Sequence, residues 1–208
     1  MKLFVLGITG GTGRALAEQA LSAGDQVTAL ARNPTAVKLT HPALSIVHGD
    51  ATRQEDLESF LPGHDAVLSA LGTRSFNTTT VYSASGNALV RAMRKVKLRR
   101  LITVTSAGVV SSGKQPIWYR YLLKPLLLRG VYDDMIRFEG LLAMVDDLEW
   151  TVVRPPRLVG GSKTGRYRGS LDPSDGPGRL RRADLADFML RELREPRYMR
   201  EFVFVDER

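Results

Sequence analysis

Short apolar, β-branched runs alternate with helix-like stretches along nearly the whole chain, and no other feature constrains the fold as strongly. Lys2–Leu6 reads as a strand and Thr12–Ala23 as a helix, stopped by Gly24-Asp25. Further strands are expected at Gln26–Ala31, Ser45–His48, Asp65–Ala70, Leu101–Thr105, Trp150–Val153 and Glu201–Val205. Helices are expected at Gln54–Phe60, Thr79–Lys97 and Tyr132–Val145, and over ADLADFMLREL near the end. In that last helix Asp184 reads as the N-cap, with Asp187 three residues on. Strands of this length separated by helices build right-handed βαβ units, hence an α/β fold with a doubly wound parallel sheet. Nothing divides residues 1–208, so a single domain is expected, with excursions over 108–130 and 156–182. The Gly-, Pro- and Arg-rich part from Gly160 to Arg182 reads as a long surface loop.

The first strand runs into GITGGTGR. Gly7, Gly10 and Gly13 form G-x-x-G-x-x-G between that strand and its helix, with Gly11 as a fourth glycine. The first Gly permits a sharp exit from the strand. The second lets a pyrophosphate approach bare backbone, and the third lets the helix pack close on the sheet. The helix N-terminus then presents N–H donors and positive potential to phosphate. Strand, motif and helix together predict a Rossmann-like, dinucleotide-binding domain. An acid at the end of the second strand would bind the ribose 2′-hydroxyl of NAD. This strand ends Ala31-Arg32-Asn33, with no acid. Arg32 and Arg14 are instead placed for a 2′-phosphate, whose geometry suits the arginine fork, so NADP(H) is the expected cofactor.

Composition excludes several other chemistries. The chain has no Cys, so thiolate nucleophiles, zinc–thiolate sites and disulfides are ruled out. His41, His48 and His64 are scattered without ligand spacing, and no metal site is expected. No stretch approaches the roughly 20 apolar residues of a membrane span, and the start lacks the pattern of a signal peptide, so a cytoplasmic protein is expected. The net charge is +8. Its densest run, Arg91–Arg100, reads as a helix end, where cations favour the negative pole of the dipole. No aromatics interleave it, so nucleic acid is not an expected partner. GVVSSGKQ, Gly108–Gln115, nearly matches a P-loop, but Gln115 stands where a hydroxyl would hold magnesium.

GITGGTGR, HGDATR, DAVLSALGTR, the TSAG after the fifth strand, VVRPPRLVGG and RRADLADFML together resemble the atypical short-chain dehydrogenase/reductases. Within them the chain is most similar to the NADPH-dependent flavin reductase/biliverdin IXβ reductase group. The resemblance covers nearly the whole chain. It implies that the loop from Gly7 through Thr9, Gly10, Gly11, Thr12 and Gly13 holds the pyrophosphate. It places Asp50 and Ala51 at the adenine, and Leu71, Gly72, Thr73 and Arg74 along the cofactor. Thr105, Ser106, Pro155 and Pro156 would flank the nicotinamide, with Tyr82 near its ribose. The substrate would meet Ser106, Ala107, Trp118 and Arg157. A monomer is implied. The chain departs from the group within 108–130 and at Met135 and Arg157.

Many dehydrogenases of this superfamily use Tyr-x-x-x-Lys to pass a proton to a carbonyl oxygen. Tyrosines stand at 82, 119, 121, 132, 167 and 198, and none has Lys four residues on. Flavins, quinones and linear tetrapyrroles need less, because they take hydride at a conjugated centre and solvent can supply the proton. The expectation is therefore an NADPH-dependent reductase acting on such an acceptor, with Ser106 orienting substrate or water. A Ser bonding its own loop backbone is the plainer alternative for that residue. PIWYRYLLKPLLLRG, Pro116–Gly130, reads as a lid over a flat aromatic substrate, a surface for a membrane or partner, or an amphipathic helix on the core. A non-catalytic NADP(H)-binding regulator of the NmrA-like kind explains the missing Tyr/Lys pair equally well.

Overall fold

The structure, a computed structural model, describes residues 1–73, 79–110, 129–173 and 178–208. Its strands are β1 (Lys2–Leu6), β2 (Gln26–Ala31), β3 (Leu44–His48), β4 (Ala66–Ser69), β5 (Arg100–Val104), β6 (Glu149–Arg154), β7 (Arg157–Val159), β8 (Tyr167–Ser170), β9 (Arg179–Arg181) and β10 (Glu201–Glu207). Its helices are α1 (Gly11–Ser22), α2 (Gln54–Phe60), α3 (Val81–Val96), α4 (Arg129–Ala143) and α5 (Arg182–Arg194). Among the described residues one sheet has the order β3-β2-β1-β4-β5-β6-β10-β8. Every pairing in it is parallel except β10 with β8, which is antiparallel and closes one edge. This is the Rossmann-like, doubly wound α/β arrangement.

The central strand shows why a continuous apolar run was needed. Leu3 and Val5 point into a core built with α1 and α5. Phe4 and Leu6 point into a second core built with α2, α3 and α4. All four are fully buried, as a strand covered on both faces requires. Helices α3 and α4 approach closely at Gly86, where a Cβ would collide with the Phe138 ring.

Two expectations are corrected. Asp184 is not the cap of α5: Arg181 stands at that position, the helix begins at Arg182, and the buried Asp184 carboxylate serves a loop elsewhere. There it accepts hydrogen bonds from Thr164 N (2.7 Å), Thr164 Oγ1 (2.8 Å) and Gly165 N (2.8 Å). A long-range loop offered three donors, and these outcompete the local ones. The stretch 160–182 is also not simply loop. It contributes β8 to the sheet edge, and β9 pairs with β7 in a small parallel ribbon. Helix α3 stops one residue early because Lys97 takes the left-handed conformation (φ 61°).

Candidate cofactor and active site

The strand order reverses between β1 and β4, and in such sheets the crevice beyond the strand C-termini at that point takes ligands. The two loops that meet there touch. Gly7 has φ +86°, and a Cβ on it would strike the carbonyl of Ala70, just beyond β4. A Cβ on Gly13 would strike the carbonyl of Gly7, so no side chain fits between α1 and the strand exit. Gly10 caps α1 with no side-chain hydrogen bond, and the first turn holds no acid. Thr9, Gly10 and Gly11 are exposed, while Thr12 is buried beneath them. The result is a bare backbone cradle at an unneutralised helix N-terminus, which fits a dinucleotide pyrophosphate.

The residues expected at the adenine follow β2 and β3. Arg32 is exposed and follows β2 directly. Asp50 Oδ1 accepts from Thr52 N (2.9 Å) and Thr52 Oγ1 (2.8 Å), forming a local turn beside Ala51. The Thr52 N–H, with help from the Arg32 and Arg53 charges, holds the Asp50 carboxyl below its ordinary value. Arg14 is held on α1 by Glu18 at 2.7 Å, in an exposed i,i+4 pair. Screened pairs of this kind are worth well under 1 kcal/mol, so a phosphate can recruit Arg14 at little cost.

The opposite end is built by β4, β5 and β6. Leu71, Gly72 and Thr73 leave β4. The Tyr82 hydroxyl lies beside Gly72, 3.8 Å from where a Cβ would stand. Burial pushes that phenol up to about 12, against the opposing hydrogen bond from the Thr73 backbone. The helix bearing Tyr82 is not capped by its own Thr80. Asp134 of α4 does this instead. It is fully buried and accepts from Tyr82 N (2.8 Å), Ser83 N (3.3 Å) and the Ser83 hydroxyl.

The turns bearing Ser106 and Pro155 lie side by side. Ala107 N donates to Pro155 O at 2.9 Å, which joins the turn after β5 to the turn after β6. Ser106 Oγ accepts from Gly108 N at 3.1 Å and caps a short 3-10 turn. The plainer reading of this residue is thus realised, yet its hydroxyl hydrogen stays available to donate. Tyr132 packs so tightly on Gly108 that a Cβ there would meet its ring and hydroxyl. Thr105 does not present its hydroxyl to the crevice: it donates to Glu139 Oε1 at 2.6 Å. Glu139 is also gripped by Arg154 through Nε (3.1 Å) and Nη2 (2.6 Å), and Arg154 stacks on Phe202. Arg157 is exposed at the start of β7, next to Pro156. Arg74, Trp118 and nearly all of the 116–130 stretch lie outside the described residues.

Sequence reasoning missed Asp134, Glu139 and Arg154. A signal was present: Val131, Met135, Phe138 and Leu142 form the buried stripe of α4, and both acids fall on it by i+3 or i+4 spacing. An acid on an apolar stripe needs buried partners.

The geometry defines a nucleotide-binding Rossmann-like protein. The profile of a family described as NAD(P)H-binding matches residues 7–196, and the chain belongs to that family. The uncharacterised protein YwnB of Bacillus subtilis (strain 168) is 27% identical over 226 residues, covering 100% of this chain and 99% of that protein. A solved structure from Streptococcus pneumoniae TIGR4, described as an inferred NADH-flavin reductase, is 26% identical, with TM-score 0.77 and full coverage (100%) of both chains. A short-chain dehydrogenase/reductase of Veillonella parvula DSM 2008, solved in complex with NADP, shares the fold at TM-score 0.80 and 17% identity. It covers 99% of this chain and 94% of its own. The chain is therefore a member of an NAD(P)H-binding family with a Rossmann-like fold. No helix among the described residues is long and apolar enough to cross a membrane.

Proposed function

We propose that this chain is a single-domain, NADPH-dependent reductase that passes hydride to a flavin or similar conjugated acceptor. The observation that carries this reading is the composition of the crevice beside β5 and β6. It offers a free hydroxyl hydrogen at Ser106 and a fully protonated phenol at Tyr82, with no Lys paired to either among the described residues. Among the described residues such a site positions a substrate but offers no relay for driving a proton onto a carbonyl oxygen. NADPH supplies the hydride when bound. Gly7–Gly13 hold its pyrophosphate; Arg32 and Arg14 hold the 2′-phosphate; Asp50 and Ala51 border the adenine. Leu71–Thr73, Tyr82, Pro155 and Pro156 flank the ribose and nicotinamide. Ser106 and Ala107 orient the acceptor, and Arg157 meets an anionic group on it. The Glu139–Arg154 pair holds Thr105, and so Ser106, at a fixed height.

Steady-state NADPH oxidation with FMN, riboflavin, biliverdin and a quinone in turn, against an enzyme-free blank, tests the proposal. Saturable turnover above the blank is expected with one acceptor, and Ser106→Ala should lower kcat/KM about tenfold, the worth of one hydrogen bond. Tight NADPH binding without turnover of any acceptor would sink the reductase and leave a redox-sensing regulator. Arg32→Asp with Arg14→Ala should weaken NADPH about 100-fold, the loss of two charge-assisted contacts, and leave NADH nearly unchanged. Equal loss of both cofactors would refute the assignment of the 2′-phosphate site.

A further inference from the structure

Three of the four loop glycines are explained by backbone: Gly7 and Gly13 by carbonyls they approach, and Gly10 by its place as the cap. Gly11 is different. It is the first residue of α1, its φ is unexceptional, and no backbone atom stands in the way of a side chain. The three atoms nearest to where its Cβ would sit all belong to Arg182: Cδ at 2.7 Å, Nε at 3.2 Å and Cζ at 4.0 Å. Arg182 opens α5 and reaches across to lie on the glycine loop. Its backbone is pinned there, since Gln19 Nε2 of α1 donates to Ala183 O at 2.8 Å.

This cation is in an awkward place. It sits against the N-terminus of α1, the positive pole of a helix dipole, where the first turn holds no acid. The nearby acids are engaged elsewhere: Asp184 by Thr164 and Gly165, Glu18 by Arg14. Among the described residues nothing makes a hydrogen bond or ion pair with Arg182, whereas its neighbour Arg181 donates to Ser162 O at 3.1 Å. Arg182 is half-exposed, so water can solvate it, but its charge lies on a positive pole without a counter-ion, and an anion sharing the space would turn that arrangement from mildly unfavourable to favourable. The pyrophosphate cradle supplies that anion's place.

We propose that Arg182 is a pyrophosphate-binding residue, donated by the last helix across the glycine loop, and that Gly11 lacks a side chain to let it pass. The proposal rests on dinucleotide binding at Gly7–Gly13. It assigns a contact to the part of the cofactor common to NADPH and NADH, and so predicts affinity without 2′-phosphate selectivity.

The test is a set of dissociation constants for NADPH, NADH and adenosine 2′-monophosphate, which carries the 2′-phosphate and no pyrophosphate. They are measured on the full chain and on Arg182→Met, Arg182→Lys, Gly11→Ala and the Gly11→Ala/Arg182→Met double variant, with melting curves for each. Arg182→Met should raise the Kd of NADPH and NADH by the same factor, about 10- to 30-fold, as expected for one charge-assisted hydrogen bond. It should leave adenosine 2′-monophosphate and the melting temperature unchanged. Arg182→Lys should recover part of the loss. Gly11→Ala should weaken both dinucleotides, and adding Arg182→Met to it should cost nothing more, because the two changes remove one contact. Unaltered dinucleotide affinity in Arg182→Met would overturn the proposal. So would a parallel loss of adenosine 2′-monophosphate, which would mean that Arg182 props up the loop. Additive losses in the double variant would separate Gly11 from Arg182 and overturn the pairing. Wild-type protein that binds neither dinucleotide would overturn this proposal together with the reading beneath it, and is distinguished by the wild-type titration alone.

Discussion

Tyr82 shows how placement decides the chemistry of a single side chain. Burial raises its hydroxyl to about 12, while in the unfolded chain it ionises near 10. Between those values the folded protein keeps a proton that the unfolded chain gives up. The contribution to stability is therefore complete below pH 10 and is lost as pH rises toward 12, by about 3 kcal/mol in all. Tyr167 adds in the same direction, because burial and its hydrogen bond to Asp187 (2.6 Å) also raise it. Urea midpoints measured between pH 9 and 11.5 should fall steeply in the wild type and less steeply in Tyr82→Phe. Identical slopes would show that Tyr82 is solvated. At neutral pH the phenol is protonated and can only donate or accept a hydrogen bond, which suits a residue that lines the cofactor loop.

Helix α3 depends on another element for its start. Its first N–H, of Val81, donates to Thr79 Oγ1 (3.2 Å), but Thr80 provides no cap, and Asp134 reaches the next two N–H groups from α4. A cap is ordinarily worth about 1 kcal/mol, and a buried charged acceptor somewhat more. Asp134→Ala should therefore cost about 2 kcal/mol in chemical denaturation, leaving the buried Tyr82 N–H and the part-buried Ser83 N–H unmet, and Asp134→Asn should recover about half of it. NADPH affinity should fall with it, since Tyr82 begins the helix that Asp134 anchors. Wild-type stability in Asp134→Ala would mean that the α3 start is satisfied some other way. The same logic accounts for what was and was not legible in α4. Its apolar stripe predicts which face is buried, but only the neighbouring helix and strand tell what the acids on that stripe hold.

Across the molecule, the end of the sheet remote from the site is tied by one buried ion pair. Arg100 opens β5 and reaches Glu192 of α5 at 3.2 Å, Thr151 Oγ1 of β6 at 2.9 Å and the Glu149 carbonyl at 2.9 Å. Glu192 also accepts from the N–H groups of Arg197 (3.0 Å) and Tyr198 (3.0 Å), which lead into β10. Yet Arg100 Nε is buried without a partner, so desolvation is not fully repaid. Removing one member strands a buried charge and costs about 3–5 kcal/mol, whereas replacing both with apolar groups is often neutral. Glu192→Ala should lose that amount in denaturation. Arg100→Met with Glu192→Leu should recover most of it, with cofactor affinity untouched, because the pair and the crevice lie at opposite ends of the strands. A double variant as unstable as Glu192→Ala would show the backbone contacts of Glu192 to matter more than charge.

The alternation of the main parallel strands with helices, and the glycine turn between β1 and α1, were determined by sequence alone. Each follows from a local pattern: period, β-branching, and glycines at the one turn where a carbonyl leaves no room for a side chain. The missing acid after β2 was equally readable, because it occupies a known distance from the glycine loop. Other features were decided only by the tertiary structure. The stretch 160–182 became β8 and β9 because β10 and β7 offered edges to pair with, and short strands have no pattern of their own strong enough to announce this. Asp184 capped a distant loop and not its own helix, Asp134 capped a helix not its own, and Arg182 came to rest on Gly11 from 171 residues further along. Polar side chains find whichever partner folding places within about 3 Å, and sequence separation carries no information about that distance.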